Sequence, residues 1–197
     1  VHRGERFQVF SFEHPEQFGY FDAEGNSVQK VLLKAPFRYS QRISSGFSHN
    51  RFHPVLKRRM PHYGVDYAAP LGTPVISVGD GEIIEAGFRG PNGNIVKIRH
   101  NGVYTTAYLH LDGFARGIHV GRRVKQGQVI GYVGQTGRVT GVHLDYRVYR
   151  NNRPVNPLNL TLPPSKGIQD SLRFSFEKQK EILLERLQQI EQPDHNA

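Results

Sequence analysis

The chain has 197 residues and not one cysteine. Without thiols there is no disulfide framework and no thiolate nucleophile, and any zinc site must use nitrogen and oxygen donors. The absence fits an oxidising compartment. No run reaches the roughly 18 apolar residues that a membrane-spanning helix needs. Internal repeats and low-complexity tracts are missing too. No secretory leader opens the chain, and Val1-His2-Arg3-Gly4 reads as interior sequence, so the expectation is a processed or truncated piece of a longer protein.

What is present points to a turn-rich β protein: 37% hydrophobic residues with 21 Gly and 12 Pro. The formal charge of +9 favours anionic partners, whether nucleic acid, acidic lipid or an acidic polymer. Nucleic acid is set aside, because no recognition helix is evident and the aromatics interleave as strand core. Gly79-Asp80-Gly81 runs into a strand and not a helix, so it fails as a nucleotide fingerprint.

Three regions follow from composition. Residues 1–40 alternate apolar and polar positions around Phe7, Val9, Phe10 and Phe12, with a turn expected at 22–26. They read as a β arm or the remnant of an upstream module. Residues 41–162 carry short apolar runs between glycines: strands are expected at 73–78, 82–86, 94–99, 104–108 and 128–133, the first two joined as a hairpin through Gly79-Asp80-Gly81. That pattern predicts a mainly β, antiparallel two-layer domain. Residues 163–197 form a linker and a helix, with Leu172, Phe176, Leu183, Leu187 and Ile190 on one stripe that Pro193 ends.

Two runs carry the chemistry. In Pro61-His62-Tyr63-Gly64-Val65-Asp66-Tyr67 the histidine and aspartate are an even number of residues apart, so one extended strand would show both on one face. In Val142-His143-Leu144-Asp145-Tyr146-Arg147 the same holds for His143, Asp145 and Arg147. Side by side, such strands would gather imidazoles and carboxylates as a catalytic zinc site requires. His110, within Tyr108-Leu109-His110-Leu111, belongs with them; the other histidines have loop-like or terminal contexts. Lys57-Arg58-Arg59 reads as a solvated loop or a steering patch, Arg147 as a partner for Asp145, and Tyr67 and Tyr108 as packing.

Taken together, Arg42-Ile43-Ser44-Ser45-Gly46-Phe47, Arg51-Phe52-His53-Pro54, His62 to Asp66, Gly72-Thr73-Pro74-Val75, Gly79-Asp80-Gly81, Tyr108 to Leu111, Gly127 to Gly131, Thr136-Gly137 and Thr140 to Leu144 resemble the LytM/lysostaphin-type (M23) zinc metallopeptidases. The strand-rich arm before Arg42 is similar to the Gram-negative envelope branch that cuts peptidoglycan cross-links. The resemblance implies a periplasmic peptidoglycan endopeptidase with one zinc ion, its upstream region or an envelope partner acting as regulator. It makes His62 and Asp66 zinc ligands and His110 and His143 the catalytic histidines.

The family's motif expects a histidine as third ligand, where this chain has Asp145. Three readings stand side by side. Asp145 itself is the third ligand, giving a formally neutral centre that acidifies water less and accepts manganese or iron. Alternatively the domain is a non-catalytic binder of wall or activator of a partner hydrolase. Or the aspartate is an engineered, inactivating substitution.

Overall fold

The computed structural model describes residues 8–28, 30–53, 58–162 and 164–191. The run Val1-His2-Arg3-Gly4, Phe7, Pro54, Lys57 and Pro193, named above, lie outside them. The chain divides into two compact units, one of residues 1–31 and 162–197, the other of residues 32–161.

In the first unit, β1 (Phe10–His14) and β2 (Gln17–Phe21) form an antiparallel hairpin that turns at Pro15-Glu16. The expected turn at 22–26 also exists, held by the Asp22 carboxylate, which accepts from the Asn26 amide at 2.7 Å. Beyond it the described residues of this unit make isolated bridges, Phe21 to Ser27 and Lys30 to Pro164, and no further strand, so the hairpin's loop is an earlier one than alternation suggested. The chain's two ends share one core: Phe10, Phe12 and Phe21 pack with Ile168, Leu172 and Phe176, the last on α1 (Arg173–Glu191). Three edge-to-face contacts surround Phe176, at 5.7–6.5 Å. The predicted helical stripe is buried at Leu172 and Phe176 and half-buried at Leu183, but Leu187 and Ile190 are exposed.

The second unit holds a ten-stranded antiparallel sheet. Its strands are β3 (Arg42–Ser45), β6 (Val65–Ala68), β7 (Pro74–Ile76), β8 (Gly81–Phe88), β9 (Asn94–Arg99), β10 (Tyr104–Phe114), β11 (Arg123–Val124), β12 (Val129–Val133), β13 (Leu144–Arg150) and β14 (Arg153–Val155). A separate hairpin joins β4 (Ser48–His53) to β5 (Arg58–His62). The main order is β11-β8-β9-β10-β13-β6-β3, with β12 and β7 continuing from β10 and β14 beside β13. The expected hairpin across Gly79-Asp80-Gly81 is absent: β7 pairs with β12, while β8 pairs with β9 and β11. Local turn residues bend the chain there, but a bend does not choose which strands pair.

The three central strands bury one face almost completely. Val65 and Tyr67 from β6, Tyr108 from β10, and Leu144, Tyr146 and Val148 from β13 are all buried. Tyr146 stands 5.6 Å from Tyr108 and 6.5 Å from Tyr67, ring centre to ring centre. The Tyr108 hydroxyl accepts from the Val78 amide at 3.1 Å and from the Thr106 hydroxyl at 3.0 Å. Burial pushes this phenol up to about 12, despite those hydrogen bonds. Tyr67 and Tyr108 are therefore packing residues, as expected.

Candidate metal centre

The opposite face of the same strands builds the site. Strict alternation puts Asp66 between Val65 and Tyr67, and Asp145 between Leu144 and Tyr146. Register places Asp66 directly across from Asp145. Two like charges opposed on a sheet repel. They persist only where cations are supplied.

His62 arrives differently from the sequence expectation. It does not share a strand with Asp66: β5 ends at His62, the chain bends at Tyr63-Gly64, and β6 starts at Val65. The bend still brings His62 Nε2 to 3.0 Å from Asp66 Oδ1 and 3.9 Å from an Asp145 oxygen. Gly64 is required at the bend. A Cβ there would run into Asp145 Oδ1 and the Arg147 side chain.

His110 is delivered by strain. Leu109 pairs with Asp145 across β10 and β13, so alternation would send His110 to the tyrosine side. Instead the pairing of β10 shifts on both sides of His110, and this residue adopts φ 62°. A bulge with a left-handed residue re-aims a side chain at a cost of order 1–3 kcal/mol. Here it leaves the His110 ring 5.0 Å from the His143 ring. His143 itself, bridged to Gly134 just before β13, has its Nε2 3.9 Å from Asp66 Oδ1.

All three imidazoles are held alike. His62 Nδ1 lies 2.9 Å from the Gly46 carbonyl, His110 Nδ1 2.9 Å from Thr136 and His143 Nδ1 2.9 Å from Gly141. A carbonyl only accepts, so each Nδ1 carries a proton, and Nε2 is the nitrogen left to face the site. The Thr136 carbonyl is itself fixed, because the Thr136 hydroxyl donates to Leu111 at 2.8 Å and accepts from the Asn94 amide at 2.9 Å. Sequence reading missed these carbonyls, since a backbone acceptor leaves no trace in side-chain identity. The glycines beside them were the available sign.

Each carboxylate is also claimed by an arginine. Arg51 reaches Asp66 Oδ2 at 3.3 Å and also contacts the Ser45 hydroxyl. Arg147 grips Asp145 with Nη2 at 2.6 Å and Nε at 3.1 Å from Oδ2, and Nε at 3.2 Å from Oδ1. Burial alone would weaken the Arg147 cation, but Asp145 outweighs it and the guanidinium is held charged. For His62, burial disfavours the imidazolium, and the hydrogen bond and charge of Asp66, with Asp145 and the Gly46 carbonyl, more than restore it. Burial pulls the other way on Asp66, yet His62, His143 and Arg51 hold it below the ordinary carboxylate value. Burial keeps His110 below the ordinary imidazole value, although Thr136 and Asp145 oppose this.

One atom has no donor. Asp66 Oδ1 is buried and has no hydrogen-bond donor aligned on it, although His62 Nε2 lies 3.0 Å away. A cation between them, proton or metal, supplies the missing partner. Among the described residues His62, Asp66 and Asp145 each offer a ligand atom, all within 4.8 Å of one another. One nitrogen and two oxygens suit zinc, or a harder divalent ion. The donor set therefore fits a metal.

Arg58 and Arg59 lie exposed on β5. Nearer the site, Phe47, His49 and Tyr63 form an aromatic cluster, with ring centres 5.2–6.0 Å apart.

Comparison with known proteins agrees with this geometry. Residues 60–157 match Peptidase family M23. The chain is 41% identical over 174 residues to the peptidoglycan DD-endopeptidase ShyC of Vibrio cholerae, covering 87% of this chain and 40% of that protein. A zinc-containing peptidase from the same organism superposes with TM-score 0.64 and 41% identity, over 79% of this chain and 47% of that one. The catalytic domain of lysostaphin from Staphylococcus simulans superposes with TM-score 0.53 and 31% identity, over 60% of this chain and 90% of that one. The chain spans about 40% of the length of the curated relatives it matches. The antiparallel sheet, the matched span and near-complete coverage of a known catalytic domain lead to one assignment: the chain belongs to peptidase family M23.

Proposed function

We propose that this M23 domain is a metal-dependent endopeptidase that hydrolyses peptide cross-links of peptidoglycan in the periplasm. The observation that carries it is the convergence of His62, Asp66 and Asp145 beside two further imidazoles, His110 and His143, whose Nε2 nitrogens are left to face the site. Relatives named as peptidoglycan DD-endopeptidases support the substrate class.

His62, Asp66 and Asp145 would hold the ion, zinc in the first place and manganese or iron as alternatives. When bound, such an ion polarises the scissile carbonyl and lowers the pKa of a coordinated water. His110, kept neutral by burial and oriented by Thr136, accepts the attacking water's proton at Nε2 and returns it to the leaving amine. His143, its ring 5.0 Å from that of His110, would be the group beside the developing oxyanion. The strained His110 backbone keeps its ring aimed without a loss of order at each turnover.

The test is zinc-loaded protein incubated with purified sacculi, with chromatography of released muropeptides. Product that disappears on chelation and in Asp66→Ala supports the hydrolase. A second reading, a non-catalytic wall binder, draws on the arginine already gripping Asp145. Retention on sacculi without product, and no zinc in the purified protein, would establish it instead.

A further inference from the structure

The third arm of the centre is shared between two cations. Of the two Asp145 oxygens, Oδ2 is the one 3.9 Å from His62 Nε2, and donors on one zinc ion stand roughly 3.3 Å apart. That same oxygen accepts the two shorter contacts of Arg147, 2.6 Å and 3.1 Å. Both donors belong to one planar guanidinium and reach Oδ2 from the same side, so an ion seeking that oxygen meets a full positive charge already seated 2.6 Å from it. The other oxygen, Oδ1, is turned towards Gly64, where even a methyl group finds no space, and it accepts Nε at 3.2 Å. Asp66 is arranged otherwise: Arg51 approaches only its outer Oδ2, at 3.3 Å, and Oδ1 stays bare.

Resting on the metal-site reading above, we propose that Arg147 is a resident competitor of the metal, whose charged guanidinium on Asp145 Oδ2 opposes the divalent ion that needs the same oxygen as its third ligand. His62 and Asp66 form the permanent half of the centre, and Asp145 is a half that switches between arginine and metal. Arg147 then sets the metal affinity from below, and metal-free protein is protected against a bare buried carboxylate. The alternative role, an arginine that steadies Asp145 for the ion, predicts the opposite sign.

Zinc affinity is measured by competition with a chromophoric chelator, on purified protein whose folding is checked by circular dichroism. Arg147→Gln should bind zinc about 10- to 100-fold more tightly than the natural chain, the range of a hydrogen bond to a charged group. Arg147→Lys keeps the charge but loses the two-pronged grip, and should fall between; it carries the test if the glutamine variant does not fold. Asp145→Asn should weaken binding, and adding Arg147→Gln to it should change little. Equal or weaker zinc binding in both arginine variants overturns the competition, as does an Asp145→Asn protein that binds like the natural chain. Should the natural chain and all variants take up no zinc, the metallopeptidase reading itself fails. A metal-loaded crystal structure should show Arg147 withdrawn from Oδ2.

Discussion

The two faces of β6, β10 and β13 are made from the same strands by opposite rules. On one face Tyr67, Tyr108 and Tyr146 interlock, and the buried Tyr108 hydroxyl has its hydrogen-bond partners. On the other, two carboxylates face each other, a histidine is held at positive φ, and Asp66 Oδ1 goes without a donor. The tyrosine face satisfies its groups internally and stabilises the unit. The carboxylate face leaves one group unsatisfied, so that an external cation completes it. Unmet polar demand next to a fully packed core is how a rigid scaffold presents a site without itself unfolding.

The contrast can be broken from either side. Tyr146→Ala, on the packed face, should cost about 3–5 kcal/mol in urea denaturation, as for other buried aromatics. On the site face, His110→Ala should lower the rate of cross-link cleavage by about 10²- to 10⁴-fold while zinc content is unchanged. Tyr108→Phe leaves the Val78 amide without its acceptor and should cost about 1–3 kcal/mol.

The same phenol sharpens the comparison by pH. Burial raises Tyr108 from 10.0 to about 12, so its contribution is fully present below pH 10 and is lost as pH rises towards 12, where the unfolded phenol ionises first. Alkaline melts of Tyr108→Phe should show a shallower decline over that window. The smallest effect concerns strain. His110→Gly and His110→Ala remove the same ring, so the glycine protein should be more stable, by about 1–2 kcal/mol, because only alanine is penalised at φ 62°. Equal stabilities would mean that the bulge relaxes.

Legibility followed the range of the interaction. β9 at Asn94–Arg99 was readable to the residue, since its alternation is local. The same rule would have misplaced His110, because a bulge inverts parity and nothing in Tyr108-Leu109-His110-Leu111 announces one. Strand pairing failed at Gly79-Asp80-Gly81 for a related reason: a turn sequence specifies a bend, not a partner. His62 and Asp66 were rightly paired by spacing, but through a bend at Gly64 and not along one strand.

By itself the amino-acid sequence determined the chemical inventory: no thiols, imidazoles and carboxylates in short runs, and a carboxylate at position 145. Residue types and period-two patterning are written locally, so they survive without coordinates. Only the tertiary structure decided that Asp66 meets Asp145, that three backbone carbonyls orient the imidazole rings, and that Arg147 occupies the oxygen nearest His62. The contacts of Asp66 with Asp145, His62 with Gly46 and His110 with Thr136 join segments far apart in the chain, and even the short-range ones follow from register, bulges and burial that no single stretch encodes.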